Sequence, residues 1–145
     1  MAPNDRMRVP VEDAYVASIG RAIYVFATLE WNAVWCCEGM DKNYVRKLKR
    51  KTAGVVADDF LRFAARHPDL KIRADTLKAA QEFDRLVKKR NALAHAKPGT
   101  ADGGAQRLFR HGTAWTVESI NEAADEFAAC SIVLNALMHG PLKRP

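Results

Sequence analysis

The chain has 145 residues, 48% of them hydrophobic, and a formal net charge of +6. This length suits one domain with a sizeable core, and the apolar content excludes a disordered tail. The basic charge favours polyanionic partners, but solvated lysine faces give many proteins the same balance.

The cysteines do not form a recognisable pattern. Cys36 and Cys37 are adjacent and Cys130 is remote, which matches neither a disulfide framework nor a CxxC zinc pattern. The sequence starts without a secretory signal, so we expect a cytoplasmic protein. The early apolar stretch is interrupted by Arg21 and followed by Glu30, which argues against a membrane span and predicts a buried helix.

Helical spacing of apolar residues dominates the first half of the chain. It predicts a first helix over 11–37, with Gly39 ending it. A second helix is predicted to start near Asp41 or Asn43 and to run to Arg66.

A third helix is predicted from Asp69 until residues 98–99, followed by a loop at 103–104. Residues 108–110 and 113–117 flank a two-residue turn and predict a short β-hairpin.

Ser119 and Glu122 have capping-box spacing for a last helix that stops at Gly140. The pattern as a whole predicts an all-α fold, a four- to five-helix up-down bundle with a short β-hairpin before the last helix. The predicted organisation is a flexible lead-in over 1–10, one helical domain over 11–140 and a tail over 141–145.

Two charged residues lie where the helices should be apolar. At 100° per residue, Arg90 falls about 20° from Phe83, near the middle of the third helix's buried stripe, whereas Asn91 and His95 lie on its shoulder. Glu30 lies in the apolar stripe of the first helix. Because buried charges are normally paired, we expect Glu30 to meet Arg90. Such a pair either fixes helix register or orients Arg90 towards a phosphate.

The stretch from Arg90 to His95 carries groups suited to phosphate chemistry. Arginine binds phosphate and stabilises its developing charge, histidine transfers protons near neutral pH, and Asn91 offers an amide. Together they fit metal-independent cleavage of RNA by the 2′-hydroxyl, with no cofactor. The reaction benefits from a base and an acid, so two chains related by a twofold axis would supply two histidines.

Arg90-Asn91-Ala92-Leu93-Ala94-His95 resembles the R-N-x-x-x-H form of the R-x(4–6)-H motif of the HEPN superfamily. The resemblance implies a dimeric helical bundle with the motif near a cleft at the dimer interface. In active members it implies a metal-independent endoribonuclease, often of toxin–antitoxin or defence type. Arg90 and His95 would be catalytic and Asn91 would be the polar residue after the arginine.

A basic cluster precedes the middle of the predicted second helix. A phosphate-backbone footprint has this appearance, and so does a solvated helix face. The cluster comprises Lys42, Arg46, Lys47, Lys49, Arg50 and Lys51.

Trp31 and Trp35 are one turn apart on the flank of the first helix. We expect them to pack in the core against another helix, with a dimer contact as the second interpretation. For the whole chain, two functions stay open. The first is a HEPN-like endoribonuclease acting as a dimer, with an antitoxin or nucleotidyltransferase-like partner. The second is a non-catalytic nucleic-acid- or protein-binding module in which Glu30–Arg90 is a structural ion pair.

Overall fold

The structure is a computed structural model that describes residues 6–145. Over these residues the helices are α1 (Asp13–Met40), α2 (Tyr44–Lys47), α3 (Ala53–Ala65), α4 (Leu70–Ala94) and α5 (Val117–His139). The strands are β1 (Lys97–Thr100), β2 (Gln106–Arg110) and β3 (Thr113–Ala114), in one antiparallel sheet of order β1-β2-β3. The predicted helical bundle with a short hairpin before its last helix is confirmed. Among the helices described, none is both long and apolar enough to cross a membrane.

The core joins the four long helices through aromatic rings. Phe26 of α1 stacks on Phe83 of α4 with ring centres 6.2 Å apart, and it meets the ring of Phe127 on α5 edge-on at 5.1 Å. Phe60 of α3 lies 6.3 Å from Phe83. All four rings are buried, so they dominate the apolar area that holds the bundle together.

Helices α1 and α5 are parallel neighbours. Near the start of α1, the hydroxyl of Tyr15 donates to the carbonyl oxygen of Trp115 at 2.8 Å. Further along, Asn32 donates to the hydroxyl of Ser131 at 2.7 Å. Both contacts advance in the same direction along the two helices, so α5 runs parallel to α1.

The second predicted helix is two helices, so that prediction was wrong. Residues 48–52 separate α2 from α3, and Asn43 and Lys49 have φ of 68° and 47°. Thr52 is extended, and its side chain accepts from the backbone N–H of Val55 at 3.3 Å, which starts α3 anew. The clustered basic side chains would also repel one another in a continuous helix.

Helix α4 ends earlier than predicted, at Ala94. Pro98 cannot donate a helical hydrogen bond and disfavours helix in the residue before it. The chain instead forms β1, in which Lys97 pairs with Phe109 and Thr100 pairs with Gln106. The predicted loop at 103–104 and the β-hairpin that follows are both present, and β1 adds a third strand to them.

The last helix begins with a capping box that differs from the predicted one. Thr116, not Ser119, is the N-cap residue, and it accepts from the backbone N–H of Ser119 at 3.0 Å. The Ser119 hydroxyl accepts from the backbone N–H of Thr116 at 2.8 Å. Ser119 thus fills the reciprocal position that the spacing had assigned to Glu122.

The residues after α5 are tied to α1. Leu142 is buried, and its backbone N–H donates to Leu137 at 2.9 Å. Arg144 donates from Nε to the carbonyl oxygen of Glu38 at 2.8 Å. Gly39 permits this contact, because a Cβ there would overlap the backbone oxygen of Leu142. Of the predicted lead-in, residues 1–5 lie outside the described residues and residues 6–10 are exposed.

Candidate functional site

The motif Arg90–His95 occupies the C-terminal end of α4. His95 is the C-cap residue, and its backbone N–H donates to the carbonyl oxygen of Asn91 at 2.9 Å. Asn91 and His95 are one turn apart, so they share a side of the helix end. Asn91 is half-buried and His95 is exposed, which agrees with the shoulder position expected for them.

Arg90 is half-buried and lies on an aromatic ring. Its guanidinium carbon is 4.5 Å from the ring centre of Phe26, and its Nε donates to Oδ1 of Asn91 at 3.0 Å. Its terminal nitrogens, Nη1 and Nη2, make no hydrogen bond to any residue within 6–145. Phe26 and Asn91 therefore hold the guanidinium group through its carbon and Nε, while Nη1 and Nη2 stay free to donate to an acceptor.

The expected direct ion pair between Glu30 and Arg90 is not formed. Neither side chain has an oppositely charged partner within 4.0 Å among the described residues. Burial raises the pKa of Glu30, and the positive charge of Arg90 lowers it by less, so the groups interact across a gap. Both side chains are half-buried rather than central in the core, so neither must be paired directly.

His95 presents its imidazole to solvent. Within residues 6–145 the ring makes no hydrogen bond, so both nitrogens are available to a ligand. The sheet begins two residues later at Lys97, so His95 lies in the connection between α4 and β1.

Ion pairs hold the end of α4 against its neighbour α5. Glu126 on α5 accepts hydrogen bonds from both Arg85 and Lys89. Arg85 also pairs with Glu82 at 2.6 Å. Lys89 is thus half-buried in an interhelical contact one residue before the motif.

The sheet is fixed on the start of α1, next to the motif. The Tyr15 hydroxyl accepts from the backbone N–H of Leu108 at 2.9 Å. The guanidinium of Arg107 lies 4.4 Å from the Tyr15 ring centre and pairs with Glu12 at 2.8 Å. Because β2 pairs with β1, these contacts also fix the chain that leaves His95.

No family model, curated protein or solved structure matches the chain. We therefore infer what the site can do only from its own residues. In the described part of the chain, no group of three or more His, Cys, Asp or Glu side chains is arranged to hold a metal ion.

The basic cluster lies on α2 and on the connections before and after it, not along one helix face. Lys47 pairs with Asp41 at 2.8 Å and Lys51 with Asp59 at 2.7 Å, so two of the six cations are neutralised locally. The other four are exposed and have no acidic partner within residues 6–145: Lys42, Arg46, Lys49 and Arg50.

The cluster and the motif are not at one site. Arg90 lies beside Phe26, whereas α2 follows the end of α1 at Met40. Fourteen residues of helix separate these two levels, about 21 Å along the axis of α1. An RNA chain would have to span that length to contact both.

A buried carboxylate that the sequence analysis missed lies at Asp59. It accepts hydrogen bonds from Tyr44 and Lys51 at 2.7 Å and from Arg62 at 2.6 Å. Burial raises the pKa of Asp59, but the hydrogen bonds and positive charges outweigh burial and hold it below its usual value. The sequence feature that could have indicated this role is an acidic residue next to the apolar Phe60 and shortly after an unusually basic segment.

Trp31 and Trp35 are not in the core, so that expectation was wrong. They are 49% and 41% exposed and meet edge-to-face, with ring centres 6.1 Å apart. Together with Met138 and Leu142 they line an apolar cleft of about 510 Å³ that includes no motif residue. The inner face of α1 is the one that carries Phe26, and the two indoles lie on the opposite side.

Proposed function

We propose that the chain is a HEPN-like protein that binds RNA at Arg90–His95 and cleaves it without a metal ion, acting as a dimer. Its expected setting is a toxin–antitoxin or defence system, with an antitoxin or nucleotidyltransferase-like partner. The observation that carries the proposal is that one helix end presents both the free Nη1 and Nη2 of Arg90, whose Nε donates to Asn91, and the exposed imidazole of His95 one turn after Asn91.

In the proposed step, the 2′-hydroxyl of RNA attacks the adjacent phosphorus and the bond from phosphorus to the 5′-oxygen breaks. The products are a 2′,3′-cyclic phosphate and a 5′-hydroxyl end. Arg90 binds a non-bridging oxygen and stabilises its developing charge. His95, as imidazolium, donates a proton to the leaving 5′-oxygen. The proton of the 2′-hydroxyl goes to the partner subunit's His95, which is why the reaction needs two chains.

An RNase assay in excess EDTA tests this proposal. We expect the wild type to cut single-stranded RNA to cyclic-phosphate ends, and His95→Ala to lose activity by about 100-fold or more. His139→Ala is the matched control, since His139 is also exposed at a helix end and should leave cleavage unchanged. A wild type that cuts no RNA, or a His95→Ala variant that cuts equally well, rejects the catalytic proposal.

A second candidate is a non-catalytic binding module, and the four unpaired cations of the basic cluster favour it. Exposed lysine and arginine side chains without acidic partners are free to neutralise phosphates. If they bind RNA, replacing Arg46 and Arg50 with glutamate should weaken binding and reduce the salt slope by about one for each phosphate that is no longer neutralised. Lys47→Glu, at a locally paired cation, should change binding less. A salt-independent affinity contradicts this candidate.

A further inference from the structure

The apolar cleft between α1 and the end of α5, called the tryptophan cleft below, has cations at its rim. Trp31 and Trp35 of α1 and the buried Leu142 supply apolar walls, and its volume of about 510 Å³ is typical of a ligand pocket. Lys143 and Arg144 also line it, and both are exposed. An exposed apolar surface with a polar rim is typical of a binding site.

The two cations at the rim are available to a ligand. Lys143 has no acidic partner within residues 6–145, and Arg144 donates only from Nε, to the carbonyl oxygen of Glu38. Glu38 is the one acidic side chain among the described lining residues. Both of its carboxylate oxygens accept from backbone N–H groups, those of Asn43 at 2.8 Å and Val45 at 3.2 Å. The rim therefore carries a net positive charge and suits an anionic group.

The two indoles offer planar surfaces for stacking. Trp31 and Trp35 are half-exposed and meet edge-to-face with their planes at 90°, so at least one indole face is not covered by the other ring. Beside them, Asn32 lines the cleft and donates from Nδ2 to Ser131, whereas its Oδ1 accepts no hydrogen bond from the described residues. Nucleobases stack on aromatic faces of this kind, and an amide oxygen can accept from a base edge.

The tryptophan cleft is next to the basic cluster. Glu38 lines the cleft, and its hydrogen bonds to the backbone of Asn43 and Val45 hold the start of α2 against this turn of α1. Lys42, the first member of the cluster, directly precedes Asn43. The fold therefore places stacking rings beside exposed cations that are able to neutralise successive phosphates of one strand.

We propose that the tryptophan cleft binds a base of single-stranded RNA, stacked on Trp31 or Trp35, while Lys143 and Arg144 hold a flanking phosphate. Grooves that combine aromatic rings with cations bind single strands in this way, with little preference for sequence, because every base has a stacking face. An acidic peptide would match the cations of the rim, but the uncovered indole face beside the basic cluster favours a stacked base.

This inference rests on the proposed function only in taking RNA as the ligand. Arg90 lies over Phe26 on the inner face of α1, whereas Trp31 is five residues further along and on the opposite side. The cleft therefore binds a part of the strand remote from the bond that is cut. A chain that binds RNA in the cleft but cuts none would reject the catalytic proposal alone. A chain that cuts RNA, and binds it equally well without the indoles, would reject the cleft alone.

Anisotropy of a labelled hexanucleotide of adenylate, titrated with the full chain, tests the cleft. Every protein carries His95→Ala so that the RNA stays intact. Replacing both Trp31 and Trp35 with leucine should raise the dissociation constant by at least about 5-fold, as for loss of one stacked base. Tyr24→Leu is the matched control, because Tyr24 is also an exposed aromatic residue of α1 but does not line the cleft. It should leave the dissociation constant unchanged.

Two further measurements separate stacking from a structural effect of the substitutions. Replacing both indoles with phenylalanine keeps a ring at each position and should restore most of the affinity that leucine loses, with no difference in melting temperature between the two variants. RNA should also quench the tryptophan fluorescence of the parent chain, because two of its three indoles line the cleft.

The phosphate contact has its own test in the salt dependence of binding. Lys143→Gln should reduce the salt slope by about one, as for one phosphate that is no longer neutralised. Lys78→Gln is the matched control, since Lys78 is an exposed lysine on α4 and does not line this cleft. An equal slope for the parent chain and both variants contradicts the phosphate contact.

Three results overturn the proposal as a whole. The first is a double leucine variant that binds the hexanucleotide as tightly as the parent chain does. The second is adenosine monophosphate binding as tightly as the hexanucleotide, which would make a free nucleotide the ligand instead of a strand. The third is tighter binding of an acidic peptide of alternating leucine and glutamate, which would assign the cleft to a protein partner.

Discussion

The guanidinium of Arg90 lies 4.5 Å from the ring centre of Phe26 instead of against the carboxylate of Glu30. This contact lets a half-buried cation remain without a direct counter-ion, because the ring face attracts positive charge. It also limits the rotation of the side chain, so that the fork of Arg90 stays beside Asn91. The ring is thus a support for the motif as well as part of the core.

A double-mutant cycle with Phe26→Leu and Arg90→Gln should measure this contact. We expect a coupling energy of about 0.5–1 kcal/mol in favour of the native pair, the scale of a partly exposed cation–π interaction. Chemical denaturation of the four proteins gives the number. The same cycle with Phe60→Leu serves as a control, since Phe60 packs on Phe83 and has no described cation–π contact with Arg90. A coupling energy of zero between Phe26 and Arg90 would show that the ring contributes only to packing of the core.

Glu30→Gln should make the protein more stable at neutral pH. Burial raises the pKa of Glu30 above its ordinary 4.5, so ionising this carboxyl costs more free energy in the folded chain than in the unfolded chain. Stability from this group is present below pH 4.5 and is lost as the pH rises through the raised pKa. The amide avoids that loss, and we expect a gain within about 1 kcal/mol.

Denaturation at several pH values measures the effect of Glu30→Gln. The difference between variant and wild type should shrink below pH 4.5. Glu122→Gln, at an exposed position on α5, should show little change at any pH. A variant less stable than the wild type at neutral pH would mean that attraction to Arg90 outweighs the burial of the carboxylate.

The sequence predicted which charged residues lie among apolar ones, but not which groups those charged side chains contact. Periodicity marked Glu30 and Arg90 as inward-facing, and the helix end placed Asn91 and His95 at its shoulder correctly. Periodicity cannot show how far a side chain reaches, so it did not predict that the guanidinium of Arg90 packs on the ring of Phe26. It also overlooked Asp59, whose partners Tyr44 and Lys51 lie outside α3. The helical bundle followed from local pattern, whereas the break before Thr52 and the strand at 97–100 depended on caps and pairing between segments.

Asp59→Ala should be strongly destabilising, by about 3 kcal/mol, because it leaves Tyr44 and Lys51 without their acceptor. The adjacent Asp58→Ala is a matched control, since Asp58 is exposed and should change stability by less than about 0.5 kcal/mol. The pKa of Asp59 lies below its ordinary 3.8, so the stability it contributes is present above pH 3.8 and lost as the pH falls through the lowered value. Wild type and Asp59→Ala should therefore converge in acid. Equal stability of both variants at neutral pH would contradict a structural role for the network.

The native thiols should be unreactive in the folded protein. Burial raises the pKa of Cys36 and of Cys130 to about 12, so almost no thiolate forms near neutral pH. A thiol reagent should label the cysteines only at the rate of unfolding, and completely in denaturant. Rapid labelling of the native chain would mean that the packing between α1 and α5 opens without global unfolding.

Gly39→Ala should release the end of the chain from α1. The new Cβ would overlap the backbone oxygen of Leu142, so one of the two segments must move, at a cost of about 1–3 kcal/mol. Thermal unfolding measures the cost, and protease sensitivity after α5 reports the release. Gly54→Ala is the control, because its nearest neighbour would be a side-chain oxygen at 3.9 Å, and better helix propensity should leave stability unchanged or higher by up to about 1 kcal/mol. If both variants unfold at the wild-type temperature with α5 still protected, the contact between Gly39 and Leu142 does not hold the chain end in place.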